Sequence, residues 1–283
     1  MISCTTVRKP VIRTHYNVTT PFYRLLWGRH LHHGLFEDDV TAQVAQQKLT
    51  DRLIQEAGVQ RGDRVLDVGC GMGGSSIYLA QSLGCDVTGI TLSPVQRRWA
   101  SWTSSWHGVR GQTDFHVQDA ETADFDKESF HVVWSIECTE HLFDKPAFFQ
   151  KAATWLKPGG RMAICAWLEG DTHATEASAQ QVRNVCEGFF CPSLGSMQDY
   201  RQWMTAAGLT VDRALDWTTS VARTWEICQA RVQRTGARRL ARLFGANMTM
   251  FLDRFDTILN AYQSGAMQYG CFVATKPMES CPR

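Results

Sequence analysis

The sequence predicts an α/β fold, a doubly wound parallel sheet with helices on both faces. Two observations carry that expectation. From about residue 64, buried strand-length apolar runs alternate with segments of helical apolar spacing. At the first strand-to-helix junction stands a glycine turn, Gly69-Cys70-Gly71-Met72-Gly73-Gly74.

The elements follow in order. Residues 64–69 read as a buried strand and 75–83 as a helix. Residues 86–91 form the next strand, and 93–106 a helix in which Ser93 caps and Pro94 takes the first helical position. Strands are expected at 114–120 and 129–137, then a helix from about Lys145 to Leu156 that stops at Lys157-Pro158-Gly159-Gly160. A strand at 161–168, a helix near 198–207 and strands at 210–217 and 271–277 complete the pattern.

Two segments break the rhythm, and both read as helical additions near the carboxyl ends of the strands, where ligands bind in such sheets. The whole chain, 1–283, is therefore read as one domain: an N-terminal helical lid at 1–60, a core at 61–218, a helical cap at 219–270, and the final strand at 271–277.

Composition narrows the function classes. Hydrophobic residues make up 44% and charged residues 20%, as in ordinary globular proteins, and the net charge of +1 gives no reason to expect nucleic acid as a partner. No run of about 18 apolar residues predicts stable membrane insertion, although peripheral contact stays open. The opening residues lack the apolar stretch of a secretory signal and are short for a transit peptide. The ten cysteines are scattered without a C-x-x-C pair, and several sit inside apolar runs. That usage predicts reduced, buried thiols and a cytoplasmic protein. A homo-oligomer is left open.

Gly69, Gly71 and Gly74 satisfy G-x-G-x-x-G, which in this context suits a dinucleotide or S-adenosyl-L-methionine. Three features favour the latter. Asp67, just before the glycines, would repel a pyrophosphate and attract an α-ammonium. The second strand ends in Thr91-Leu92-Ser93, not the acid that often holds a dinucleotide's ribose. Asp119 follows the third strand, where its carboxylate can accept from an adenine amino group.

The segments "VLDVGCGMGGSS", "GITLSPVQ", "QDAE", "WSIECTEHL" and "WLKPGG" together resemble the class I S-adenosylmethionine-dependent methyltransferases. With "WGRHLHHGLF" and "DWTTSVARTW" added, the likeness is to the γ-tocopherol methyltransferase-like branch of small-molecule C-, N- and O-methyltransferases, with cyclopropane fatty acid synthases further off. It runs from about Tyr16 to Pro277. The resemblance implies a Rossmann-like seven-stranded sheet with its last strand antiparallel. It implies that Gly69, Cys70 and Gly71 pass beside the methionine part of the cofactor, with Asp67 at its ammonium. Thr91, Leu92 and Gln96 would take the ribose side, Asp119 and Ala120 the adenine. Ile136 and Glu137 would line the methyl-donor pocket, and Tyr16 would close over the cofactor. At Ile136–Leu142 the chain reads "IECTEHL" where the tocopherol enzymes read more like "MESGEHM", which tells against tocopherol itself as acceptor.

The expected reaction is methyl transfer to carbon or nitrogen of a small, largely apolar acceptor: a phenol, quinol, indole or terpenoid. Histidine suits the proton acceptor such a reaction can need. His141, beside Glu140 after the fourth strand, is the first candidate. His33, in the His30/His32/His33 cluster, is the second. That cluster reads as pocket wall and not as a metal site: ligation would want side chains converging on one ion, usually with carboxylates or thiolates in support, and a turn at Gly34 is as plausible as a shared helical face. Arg231, Arg234, Arg238 and Arg242 recur on one helical face, which suits solvent, an anionic membrane or a phosphorylated substrate. Trp134 and Trp167 lie on strands and read as core, while Trp217 and Trp225 are better pocket candidates. The rival readings are a prenyl-diphosphate or other isoprenoid C-methyltransferase, a dinucleotide oxidoreductase, and a non-catalytic cofactor-binding protein.

Overall fold

A computed structural model describes residues 1–26, 30–170, 175–235 and 254–278. Its sheet has the strand order β4-β3-β2-β5-β6-β9-β8, where β2 is Arg64–Val68, β3 Asp86–Thr91, β4 Thr113–Val117 and β5 Phe130–Ile136. The other three are β6 (Leu156–Glu169), β8 (Thr210–Asp216) and β9 (Met267–Thr275). β2 to β6 pair in parallel, and β9 runs antiparallel between β6 and β8. The expected seven-stranded sheet with an antiparallel last strand is thus what forms. β9 begins four residues earlier than its apolar run suggests, because Met267–Gly270 continue the ladder against Ala166–Glu169.

Helices cover both faces: α1 (Lys9–Leu26), α2 (Ala42–Ala57), α3 (Gly74–Leu83), α4 (Pro94–Trp106) and α5 (Lys145–Trp155). They continue with α6 (Glu176–Phe189), α7 (Met197–Ala206), α8 (Thr218–Val221), α9 (Arg223–Thr235) and α10 (Phe255–Gln263). Local chemistry sets their ends. Thr41, Ser93, Asp144 and Ser196 each accept from a backbone N–H of the first turn, which removes an otherwise unpaired donor. Gly58 and Gly84 close α2 and α3 in the left-handed conformation. Lys157–Gly160 do not end a helix in free loop; they belong to the start of β6, where its register against β5 shifts.

Two elements were not anticipated. α6 is a polar helix whose apolar residues, Val182, Val185, Cys186 and Phe189, fall on one buried face. The short strand β1 (Ile2–Ser3) pairs antiparallel with β7 (Ser193–Leu194) and ties the N-terminus to the segment after α6. Trp134 is wholly buried core, as its strand position implies, and Trp217 is buried at the N-cap of α8. Of the arginine face, Arg231 and Arg234 lie on α9, whereas Arg238 and Arg242 lie outside the described residues.

Candidate active site

The site forms where β2 and β5 end and the N-terminal segment crosses above them. After Val68 the chain turns back so that the amides of Gly69 and Cys70 both donate to the Ile90 carbonyl, at 2.9 and 3.0 Å. Gly69 holds φ at 78°, and a Cβ there would stand 2.3 Å from Cys138 Sγ. Glycine is required at that position on both counts. Gly71, also left-handed, faces open space, with Leu31 its nearest side-chain neighbour at 3.9 Å.

Beneath the turn Asp67 is buried, and its carboxylate accepts from Ser76 Oγ at 2.5 Å. Burial pushes its pKa up to about 6, the Ser76 hydrogen bond opposing only part of the rise. No cation is bonded to it among the described residues, so an ammonium arriving in the cavity would supply the missing charge. At the end of β3, Thr91 Oγ1 donates to Gln96 Oε1 at 2.8 Å. Both line the cavity together with Leu92, Asp67 and the glycine turn. This donor set fits a ligand with an ammonium at one end and hydroxyls at the other.

Asp119 and Ala120 are not brought to the cavity wall. Lys9, on α1, donates to Asp119 at 2.6 Å and to Glu121 at 2.5 Å, so the N-terminal helix is clamped over the residues expected at adenine. The pair is partly exposed and contributes modestly to stability.

At the end of β5, Ile136 and Glu137 line the cavity. Glu137 takes a left-handed φ of 54°, unusual for a residue with a side chain. The turn aims its carboxylate at the third histidine of the opening cluster. Glu137 Oε1 accepts from the His33 amide at 2.7 Å, from His33 Nδ1 at 2.9 Å and from Tyr269 Oη at 2.8 Å. Burial opposes ionisation here, yet His33 and these bonds outweigh it and hold the carboxyl below its ordinary range. A buried carboxylate thus stays charged beside the aromatic wall of the chamber.

The other faces of that chamber are aromatic. Trp167, Phe189 and Trp225 meet edge-to-face at 5.2–5.8 Å between ring centroids. Trp167 therefore serves as wall as well as core, and its buried indole nitrogen has no hydrogen-bond partner among the described residues. Trp225 is the better placed of the two late tryptophans, since Trp217 does not reach the cavity. Ile12, His15 and Tyr16 recur at helical spacing on α1 and close the opposite side. Of these, sequence reasoning reached only Tyr16, although the i, i+3, i+4 spacing was readable.

His141 is half-buried, and both its ring nitrogens are engaged. Nδ1 donates to the Phe190 carbonyl at 3.1 Å, so Nε2 is left to accept from Tyr16 Oη at 2.8 Å. Burial drives its pKa down to about 4, the Phe190 bond opposing. Glu140 accepts from the Trp167 amide through Oε1, while its buried Oε2 has no partner among the described residues. Burial pushes this carboxyl up to about 8, so it is neutral at physiological pH and can donate. His32 belongs to the packing: its Nδ1 donates to the His33 carbonyl, and burial lowers its pKa. The opening cluster is extended loop, and among the described residues no set of three His, Cys, Asp or Glu side chains converges on a metal position.

Comparison with known proteins agrees with this geometry. The family described as mycolic acid cyclopropane synthetase matches residues 5–270. The chain is 31% identical to tocopherol O-methyltransferase, chloroplastic, of Arabidopsis thaliana, over 94% of this chain and 82% of that one. Its fold superposes on the cyclopropane synthase MmaA2 from Mycobacterium tuberculosis with a TM-score of 0.84, covering 96% of this chain and all of the other at 18% identity. Geranyl diphosphate C-methyltransferase from Streptomyces coelicolor A3(2) shares the fold at a TM-score of 0.73 and 20% identity, with 94% and 97% of the chains covered. A glycine turn, a buried acid beneath it and an aromatic-walled chamber thus stand in a chain that belongs to the mycolic acid cyclopropane synthetase family, and the protein is an S-adenosylmethionine-dependent methyltransferase.

Proposed function

We propose that this enzyme methylates carbon or nitrogen on a small, largely apolar acceptor, such as an indole, an electron-rich phenol or quinol ring, or a terpenoid. The observation that carries this reading is the ionised Glu137 in an aromatic chamber that joins the glycine turn. When bound, S-adenosylmethionine supplies an activated methyl group whose transfer moves positive charge onto the acceptor. A neutral nitrogen or π-carbon gains that charge as the bond forms, and a fixed carboxylate lowers the barrier. A phenolate or carboxylate oxygen would instead meet Glu137 as a like charge.

In this reading Asp67 holds the ammonium, and the Gly69–Gly71 turn lets the methionine part approach the backbone. Thr91 and Gln96 take the ribose. Trp167, Phe189 and Trp225 exclude water and orient the acceptor; alignment alone can be worth several kcal/mol, up to about 7–11 in the best cases. Where a proton must leave, Tyr16 Oη accepts it from the acceptor while its own passes to His141 Nε2. Glu140, neutral, offers a hydrogen-bond donor.

Among the described residues no lysine or arginine lines the cavity, which favours an uncharged acceptor over a diphosphate. A reducing compartment such as the cytoplasm suits the nine described cysteines, all free. The test is incubation with methyl-labelled cofactor and a panel of amine, indole, phenolic and prenyl diphosphate acceptors, read by mass spectrometry. Label on carbon or nitrogen of an apolar acceptor is the expected result. Label on oxygen alone, or on a diphosphate substrate alone, overturns the reading.

A further inference from the structure

On the outside of the molecule, away from the chamber, α4 carries an aromatic ridge. Trp99, Trp102 and Trp106 follow one another at i, i+3 and i+7, with ring centroids 6.0 and 6.3 Å apart. The outer two are 62% and 79% exposed. Large aromatic side chains standing that far into water need a reason. Along α4 itself the charge is one-sided. Arg97 and Arg98 are exposed on the same helix, and residues 94–113 contain no acid.

Helix α1 lies alongside. Ser93 Oγ, the cap of α4, donates to Asn17 Oδ1 at 2.6 Å. Arg13 and Arg24 fall on the same side of α1 as Asn17, and both are exposed. The first acid of the chain is Glu37, so α1 brings none to this face. Asp114 on β4 is exposed and stands beside His116, while the next acids, Asp119 and Glu121, are held by Lys9. The opposite side of α1 lines the chamber through Ile12, His15 and Tyr16.

We propose that the α1–α4 face docks on an anionic lipid surface, with Trp102 and Trp106 seated at the headgroup level and Arg13, Arg24 and Arg98 facing lipid phosphates. Tryptophan is the side chain suited to that boundary, its ring apolar and its N–H able to stay wet. Basic residues around it supply attraction that falls with salt. The helix that closes the chamber would then rest on the bilayer, so that an apolar acceptor dissolved in lipid has a short path inward. The docking does not depend on which acceptor is used.

The experiment is co-sedimentation of the full chain with vesicles of phosphatidylcholine alone or mixed with phosphatidylglycerol, at low and high salt. Binding to the mixed vesicles, weakened by salt and accompanied by a blue shift of indole emission, is expected. W102S/W106S and R24E/R98E should each weaken it by about tenfold or more, with binding of S-adenosylmethionine by calorimetry unchanged as proof of fold. Failure of the parent to bind, or binding by both variants like the parent, overturns the proposal. So does a dimer in sedimentation velocity that W102S/W106S dissociates while vesicle binding stays the same, since the ridge would then serve a second copy.

Discussion

Trp225 donates its indole N–H to His33 Nε2 at 2.6 Å, and the two residues stand 192 positions apart in the chain. An indole nitrogen can only donate, so His33 must carry its proton on Nδ1, where it faces Glu137. The histidine that reads in sequence as a proton acceptor has its acceptor nitrogen already occupied. Its work is to hold a carboxylate.

That assignment separates three variants. Glu137→Gln removes the charge and should lower kcat by about 10²-fold, the scale of one lost electrostatic stabiliser. His33→Ala frees the carboxylate without neutralising it and should cost less. Trp225→Phe exposes His33 Nε2, and its effect should fall on KM through the chamber wall. If His33→Ala proves more damaging than Glu137→Gln, His33 is a base and the order proposed here is reversed.

The cofactor end makes its own prediction. Asp67→Asn should weaken S-adenosylmethionine binding by about tenfold or more, since a charged hydrogen-bond pair is worth roughly 1.5–3 kcal/mol. Asp119→Ala should weaken it less, because that carboxylate is already paired with Lys9. Calorimetry on both variants checks the ranking. Equal binding by Asp67→Asn and the parent would remove the ammonium site.

Much of this was legible before any coordinates. The glycine turn, Asp67 and the Thr91–Gln96 segment sit within one β-α-β stretch, where local spacing dictates geometry. Ser93 and Pro94 announced the start of α4 for the same reason. What sequence could not supply was contact across distance. Nothing near Lys9 points to Asp119, and nothing near His33 points to Trp225 or Tyr269. Trp167 looks like any strand tryptophan until α6 places Phe189 beside it. α6 itself escaped notice because its many polar residues dilute a single apolar stripe.

Glu140 predicts a pH dependence of stability. Its folded pKa of about 8 lies above the ordinary 4.5, so the folded state keeps a proton that the unfolded chain releases. Stability from this group is complete below pH 4.5 and is lost as pH rises through 8. His15 and His141 act in the opposite sense, but only below the ordinary histidine value of 6.5. Between pH 6.5 and 8 the Glu140 effect is therefore exposed, and the melting temperature of the parent should fall. Glu140→Gln should flatten that limb. A parent whose melting temperature is level from pH 6.5 to 8 would contradict the neutral carboxyl.

Tyr16 and His141 should behave as one unit. Their hydrogen bond joins the lid helix to the loop after β5, and His141, at about 4, is a weak base in its own right. A well-matched base contributes about 10²–10⁴-fold, so this pair should supply the lower end of that range or less. Tyr16→Phe and His141→Ala should each reduce kcat by about tenfold, and the double variant should lose little more than either alone, as residues acting through one contact do. Because His141 stays unprotonated well below neutrality, kcat should show no acid limb near pH 6.5 in the parent. Losses that multiply in the double variant would mean that the two side chains serve the reaction separately, with Tyr16 closing the lid and His141 meeting the acceptor itself.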